Sequence, residues 1–229
     1  MTDILLVPGL WNSGPEHWQS YWERERTDCR RVLQRDWETP RCSDWVAALD
    51  AAVAGSNLPV VLAAHSLGCA LVAHWAGGSR HRAKVRGALL VAPSDVEAPS
   101  YPAGTTGFAP MPLKKLPFRS ILVMSADDQY VTPARAGRFA RAWGSRLVDV
   151  GPKGHINRRR GWARGRRDLL WSRNCGRLGS DTHAGGQNTD AWRRHLRWQS
   201  AARGVTSRRR TERLASEDGR AKTDRWMRA

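Results

Sequence analysis

The stretch PVVLAAHSLGCALV, residues 59–72, decides the fold of this chain. Its first seven residues form an apolar, β-branched run of the length of a buried strand, and the residues from Leu67 onward are typical of a helix. Ser66 lies at the junction, in the pattern small-x-Ser-x-Gly that begins at Ala64. This pattern is typical of a nucleophile elbow, a sharp turn that exposes the serine hydroxyl. A serine that only caps a helix is the alternative interpretation.

Strand patterns alternate with helix patterns on both sides of this stretch. Short apolar runs bounded by Pro, Gly or polar residues predict strands at 4–9, 31–37, 59–65, 85–93, 120–126 and 146–151. Amphipathic segments predict helices at 13–25, 43–55, 67–78 and 132–144, with Ser43 as the cap and Gly55 as the end of the second. This alternation predicts an α/β fold, a mostly parallel sheet with helices on both faces.

Two further polar residues follow strands of the predicted sheet. Asp128 stands in DDQYVTP after the strand at 120–126, and His155 stands in PKGHIN after the last strand. The carboxyl ends of parallel strands meet at one edge, so both residues are expected beside Ser66. Ser, acid and His in this chain order predict a catalytic triad, with the Leu67 N–H facing a developing oxyanion. Asp127 is the alternative acid, or a group that supports the triad.

The other histidines and the cysteines give weaker signals. His65 is expected to pack beside the elbow and to line the substrate pocket, and His17 either lines this pocket or has a capping or packing role. No histidine pair has metal-ligand spacing, and Cys29, Cys42, Cys69 and Cys175 form no C-x-x-C pair. We therefore expect no metal site and no disulfide framework.

With these residues in place, the chain resembles the small α/β-hydrolases of the retinoblastoma-binding protein 9 and YdeN-like serine hydrolase family. The matching text includes VPGLWNSGPEHWQSYWE, VVLAAHSLGCALVAHWA and WGSRLVDVGPKGHIN, and it covers nearly all of 1–157. The resemblance implies a compact hydrolase without a large lid domain, acting on small esters or amides without a cofactor. It supports the triad, and it places a backbone N–H of Leu10 or Trp11 in the oxyanion hole and Asn12 in the substrate pocket. The L-x-C-x-E stretch linked to protein binding in some members is absent.

The chemistry of the chain changes after Asn157, where family members continue into Gly-Leu-Gly-x-Trp-Pro-x-Gly and a closing helix. Residues 1–157 hold 18 Lys and Arg against 14 Asp and Glu, whereas 158–229 hold 20 against 7 within an overall net charge of +17. One interpretation is a basic, disordered tail that binds nucleic acid or an acidic surface. The other, which we favour, is translation in a shifted frame, because a one-base shift of 162–176 can restore Trp-Pro-x-Gly. The family's closing helix would then be missing, with reduced stability and activity expected.

The remaining expectations concern location and partners. The amino-terminal apolar run is too short for a signal peptide, and no run approaches the ~18 residues of a membrane span. We therefore expect a cytoplasmic protein without a membrane partner, whose substrate is a small molecule. Nucleic acid is a partner only if 158–229 is a genuine part of the protein.

Overall fold

The computed structural model describes residues 2–157, and these form a six-stranded parallel sheet in the order β2-β1-β3-β4-β5-β6. The strands are β1 (Asp3–Val7), β2 (Cys29–Arg31), β3 (Val60–His65), β4 (Val85–Val91), β5 (Arg119–Met124) and β6 (Arg146–Asp149). The helices are α1 (Trp18–Glu25), α2 (Cys42–Ala54), α3 (Leu67–Gly78) and α4 (Pro133–Trp143), with a short 3₁₀ helix at Arg80–Lys84. The predicted α/β class and parallel sheet are confirmed.

Alternate residues of the central strands pack on opposite faces of the sheet, as the two-residue repeat of a strand requires. In β3, Val61 and Ala63 belong to the core on the side of α1. Val60, Leu62 and Ala64 belong to the core that α2, α3 and α4 cover. Helices therefore lie on both faces, and β1, β3, β4 and β5 are buried on both sides, which explains their continuous apolar sequences.

The helix ends follow from local chemistry. The Thr132 hydroxyl caps α4, Pro133 takes its first position, and Gly144 ends it in the left-handed conformation with φ 68°. Helix α1 begins only at Trp18, because Pro15 and Glu16 form a turn and the His17 ring caps the helix. Helix α2 begins at Cys42, so Ser43 lies within the helix and is not its cap; no side chain caps this helix.

The predicted strand at 31–37 is wrong in its position. The strand is Cys29–Arg31. The Val32 N–H still donates to the Leu6 carbonyl, and beyond this residue the chain leaves the sheet. Leu33 in the predicted strand is 73% exposed. A short strand at the edge of a sheet has one pairing partner and little buried area, so its apolar pattern is weak.

Gly68 sets the distance between α3 and β1. A Cβ built on this glycine would stand 2.3 Å from the Val7 carbonyl oxygen and 2.7 Å from that of Pro8. Only a residue without a side chain permits this approach. The close contact brings the loop after β1 against the start of α3, where Ser66 is located.

The expectations for residues 158–229, including the basic tail, the shifted frame and the missing closing helix, lie outside the described residues. In the described part of the chain, no helix is long and apolar enough to cross a membrane. The cysteines of that part, Cys29, Cys42 and Cys69, are buried free thiols, whose pKa values burial raises.

Candidate active site

Ser66 occupies the sharp turn between β3 and α3. Its backbone has φ 55° and ψ −123°, a conformation that L-residues rarely adopt. The Ser66 N–H donates to the Val91 carbonyl at 3.1 Å, which ties the turn to the neighbouring strand β4. The Ser66 hydroxyl does not cap α3, although Ser66 is at the N-cap position of this helix, because its side chain makes no capping hydrogen bond. The strained backbone places the side chain at the carboxyl edge of the sheet.

His155 links the serine to a carboxylate. Its Nε2 lies 2.8 Å from Ser66 Oγ, and its Nδ1 lies 2.9 Å from both carboxylate oxygens of Asp128. The Asp128 side chain is fully buried and that of His155 is 7% exposed. A carboxylate only accepts, so the Nδ1–H of His155 donates to Asp128 and Nε2 is free to accept the serine proton. The structure thus brings together the three residues predicted as a triad.

Asp127 does not contact the histidine ring in this arrangement. One of its oxygens accepts hydrogen bonds from the Ser125 hydroxyl and from the backbone N–H groups of Lys153 and Gly154, each at 2.7 Å. The Ser125 hydroxyl, followed by these N–H groups, holds the pKa of the Asp127 carboxyl below its usual range. Of the two candidate acids that the sequence left open, Asp128 faces His155. Asp127 accepts hydrogen bonds from the loop that carries His155 and holds this loop in place.

The loop after β1 lies against the turn at Ser66. A Cβ built on Gly9 would stand 3.1 Å from the Leu67 nitrogen, so the next peptide N–H, that of Leu10, lies in the same region. Leu67 begins α3, and the first N–H groups of a helix have no partner within it. Among the described residues, the Leu10 N–H donates to no acceptor.

The Trp11 N–H is already engaged. It donates to the Trp37 carbonyl at 2.9 Å, so it is not available to a bound oxyanion. Of the two residues expected to complete the oxyanion hole, Leu10 is therefore the one whose N–H has no acceptor within residues 2–157.

His17 and His65 form a buried aromatic cluster with the candidate triad. Their ring centroids are 4.6 Å apart, and the His65 and His155 centroids are 4.8 Å apart. Burial, followed by the nearby Arg31 charge, lowers the pKa of His17 to about 3, and burial lowers that of His65 well below its usual range. Both rings are therefore neutral near pH 7. His17 has both roles that the sequence left open, since it caps α1 and lines the pocket.

A cavity of about 310 Å³ opens beside the Ser66 hydroxyl. As expected from the sequence, the lining residues include Asn12, His17 and His65. The Arg31 guanidinium donates a hydrogen bond to Asn12 Oδ1 at 2.7 Å. The sequence analysis missed other residues of the wall, which are Gly14, Pro15, Glu16, Tyr101, Pro102, Tyr130 and Asn157. Tyr130 could have been found from its position two residues after Asp128, whereas the loop that carries Tyr101 has no periodic pattern.

No group of three His, Cys, Asp or Glu residues within 2–157 is arranged to hold a metal ion. The chemistry available at this edge of the sheet is that of a hydroxyl, an imidazole, a carboxylate and two backbone N–H groups. Such groups can activate a serine and stabilise an oxyanion.

Comparison with known families agrees with this geometry. Residues 4–169 match the family model described as serine hydrolase. The chain belongs to the serine hydrolase family. The match begins in β1 and continues twelve residues beyond Asn157. No curated protein matches this serine hydrolase.

Solved structures show that this serine hydrolase is a YdeN-like α/β-hydrolase. A YdeN-like hydrolase from Pectobacterium atrosepticum shares 31% identity over 78% of this chain and 89% of that protein, with a TM-score of 0.62. The ydeN gene product of Bacillus subtilis shares 19% over 75% and 98%, with a TM-score of 0.60. The esterase Est2 of Thermogutta terrifontis shares the fold, at 17% identity over 80% and 85%, with a TM-score of 0.56. The YdeN-like part of the resemblance is confirmed, and the likeness to retinoblastoma-binding protein 9 stays a prediction.

Proposed function

We propose that this serine hydrolase cleaves small carboxylic esters or amides through an acyl-enzyme on Ser66. The observation that carries the proposal is the line of hydrogen bonds from Ser66 Oγ through His155 to Asp128, with 2.8 Å and 2.9 Å separations. A serine hydroxyl is a weak nucleophile unless a base takes its proton in the attack. His155 is such a base, at hydrogen-bond distance and in the right orientation.

In the first half of the reaction, Ser66 Oγ attacks the substrate carbonyl carbon while its proton passes to His155 Nε2. The carbonyl oxygen becomes negative and accepts hydrogen bonds from the Leu67 and Leu10 N–H groups. The C–O or C–N bond then breaks, the imidazolium returns its proton to the leaving group, and the acyl group stays on Ser66. The fixed N–H groups stabilise the charge without reorganisation, which is the main electrostatic contribution in such sites.

In the second half, water replaces the leaving group. His155 Nε2 takes a proton from the water as its oxygen attacks the acyl carbon, and the same proton then returns to Ser66 Oγ. The carboxylic acid leaves and the serine is restored. Asp128 keeps the Nδ1–H tautomer of His155 in place and stabilises the imidazolium in both halves.

The size of the cavity favours small substrates. Its volume of about 310 Å³ lies at the low end of the range for ligand pockets. Leu10, Trp11, Pro102 and Tyr130 give it an apolar and aromatic wall next to the serine. We infer a carboxylesterase-like preference for short acyl groups. We also propose a cytoplasmic enzyme, in agreement with the unpaired Cys29, Cys42 and Cys69.

The experiment is the hydrolysis of 4-nitrophenyl esters of increasing acyl length by the full chain and by Ser66→Ala. We expect kcat/KM to be highest for acetate to butyrate and to fall for octanoate and longer acyl groups. The Ser66→Ala protein should lose on the order of 10³-fold or more of the activity. Turnover that survives this change would show that Ser66 is not the nucleophile.

A further inference from the structure

His65, directly before the nucleophile, makes a specific contact with the residue that carries the base. Its side chain is buried, with 4% of the residue exposed, and its Nε2 lies 2.9 Å from the backbone carbonyl oxygen of His155. A carbonyl oxygen only accepts, so the His65 Nε2 carries the proton and donates it. The lowered pKa of His65, caused mainly by burial, agrees with a neutral ring in this tautomer.

The contact falls in a segment with an unusual backbone. Gly154 and Ile156, on either side of His155, have φ values of 56° and 53°. A β-branched residue in the left-handed region is a genuine outlier, and such strain persists only where the surrounding structure enforces it. The conformation of the His155 peptide must therefore be held by contacts outside the segment.

Four contacts from outside the segment hold it. Before His155, Asp127 accepts from the Gly154 N–H at 2.7 Å. After it, the Asn157 carbonyl accepts from the Trp18 N–H at 3.3 Å, and Ile156 is buried against the α1 side of the sheet. At His155 itself, the partner of the carbonyl is His65. The Ile156 N–H of the same peptide group donates to the Lys153 carbonyl at 3.4 Å, a contact within the segment. Of the contacts named above, which come from outside the segment, the bond from His65 is the one that acts on the peptide of the base.

We propose that His65 is a positioning residue, whose Nε2–H fixes the His155 peptide so that the imidazole of His155 keeps its distance to Ser66. The proposal rests on the proposed function of Ser66 and His155. His65 itself touches neither the serine proton nor the substrate carbonyl in the mechanism above. One side chain adjacent to the nucleophile thus sets the position of a base that lies 90 residues later in the sequence.

The neighbours of His65 support a fixed ring. His17 packs against it at an interplanar angle of 74°, and the His155 ring does so at 63°. His17 is itself held, because its Nδ1 accepts from the Gln19 N–H at 3.2 Å at the start of α1. A ring confined in this way donates its hydrogen bond in one direction, which a positioning role requires.

The test replaces the donor and keeps its surroundings. In His65→Gln, the same number of bonds separates the side-chain nitrogen from Cβ as separates Nε2 from Cβ in histidine. The glutamine nitrogen therefore reaches the His155 carbonyl oxygen. In His65→Asn the amide is one bond shorter, and in His65→Leu there is no donor. His74 gives a matched control, since its Nε2 also bonds a backbone carbonyl, that of Phe108 at 2.8 Å, away from the site.

We expect His65→Leu and His65→Asn to lower kcat for a 4-nitrophenyl ester by about 10- to 100-fold, the usual cost of misplacing a catalytic group. KM should change by a smaller factor than kcat, because His65 is one of many residues that line the cavity and the others are kept. His65→Gln should keep kcat within about threefold of the parent, and His74→Leu should not change it. Equal kcat values for the Gln and Asn variants would overturn the proposal.

A second measurement does not depend on activity. Hydrogen exchange of the backbone N–H groups of Gly154, Ile156 and Trp18 should be at least about tenfold faster in His65→Asn than in His65→Gln. Unchanged exchange would overturn the positioning role, even if the parent hydrolysed no ester. If exchange rises as expected and Ser66 proves not to be the nucleophile, the proposed function fails while the restraint by His65 stands.

Discussion

Gly9 and Ser66 approach each other so closely that a Cβ built on the glycine would stand 2.7 Å from the Ser66 Cβ. Real Cβ atoms do not approach to this distance, so any side chain at position 9 must displace the turn that carries Ser66. The same built Cβ would lie 3.1 Å from the Leu67 nitrogen. The glycine therefore keeps the loop after β1 next to both Ser66 and the Leu67 N–H.

The first prediction concerns this contact. Gly9→Ala should lower kcat/KM for a 4-nitrophenyl ester by about 10- to 100-fold, because displacement of the serine by a fraction of an ångström misaligns the attack. Gly77→Ala in α3 is the control, since a Cβ there would meet no atom within 4 Å and the residue does not line the cavity. Its activity should stay within about threefold of the parent. Equal losses in the two variants would contradict the steric account.

The second prediction concerns the backbone strain at Ser66. Its φ of 55° is tolerated by glycine and costs an L-residue about 1–3 kcal/mol. Ser66→Gly should therefore raise the free energy of unfolding above that of Ser66→Ala, by up to about 2 kcal/mol after the entropic cost of glycine. Urea denaturation of the two inactive variants measures the difference. A glycine variant no more stable than the alanine variant would show that the turn is not strained.

The third prediction separates the two acids. Asp128→Asn should lower kcat by about 10³- to 10⁴-fold, because an amide can stabilise neither the required His155 tautomer nor the imidazolium. Asp127→Asn should lose less than about tenfold, since the asparagine oxygen can still accept from Ser125, Lys153 and Gly154. Steady-state kinetics of the two variants check this pair. A loss in Asp127→Asn as large as that in Asp128→Asn would contradict the assignment.

The fourth prediction is a pH dependence of stability. His17, with a pKa of about 3, and His65 stay neutral in the folded protein, whereas in the unfolded chain they take up protons below about pH 6.5. The unfolded state then binds more protons, so the free energy of unfolding falls as the pH decreases from 6.5. The decrease is up to about 1.4 kcal/mol per pH unit for each histidine.

Urea denaturation between pH 7 and pH 5 measures this slope. His17→Asn keeps an acceptor for the Gln19 N–H at the start of α1 but removes one titrating group. The slope of this variant should be smaller by up to about 1.4 kcal/mol per pH unit. A slope equal to that of the parent would show that His17 does not resist protonation in the fold.

The sequence predicted the structure best where neighbouring elements are also consecutive in the chain. The predicted helix at 67–78 is α3, and the predicted strand at 59–65 differs from β3 by one residue. The strand, the turn and the helix follow each other within twenty residues, and each has its own pattern of apolar and small residues. The strand ends then place Ser66, Asp128 and His155 at one edge of the sheet, because parallel strands all point the same way.

The sequence was least informative where a contact involves the backbone of a distant residue. The hydrogen bond from His65 to the His155 carbonyl spans 90 residues, and no side-chain pattern predicts a carbonyl acceptor. For the same reason, the sequence did not predict that the Trp11 N–H donates to the Trp37 carbonyl. The predicted position of β2 was wrong because this strand pairs only with β1 and its residues are not buried on both faces of the sheet. It therefore has no continuous apolar sequence.

The most direct test of the central claim is reaction of the full chain with a fluorophosphonate probe, followed by mass spectrometry of its peptides. Such a probe forms a stable bond with a serine that a neighbouring base activates, so it reports the nucleophile without a choice of substrate. We predict a single phosphonyl adduct on the peptide that contains Ser66, and none on Ser66→Ala. An unlabelled parent chain, or equal labelling of Ser66→Ala at another residue, would contradict the account.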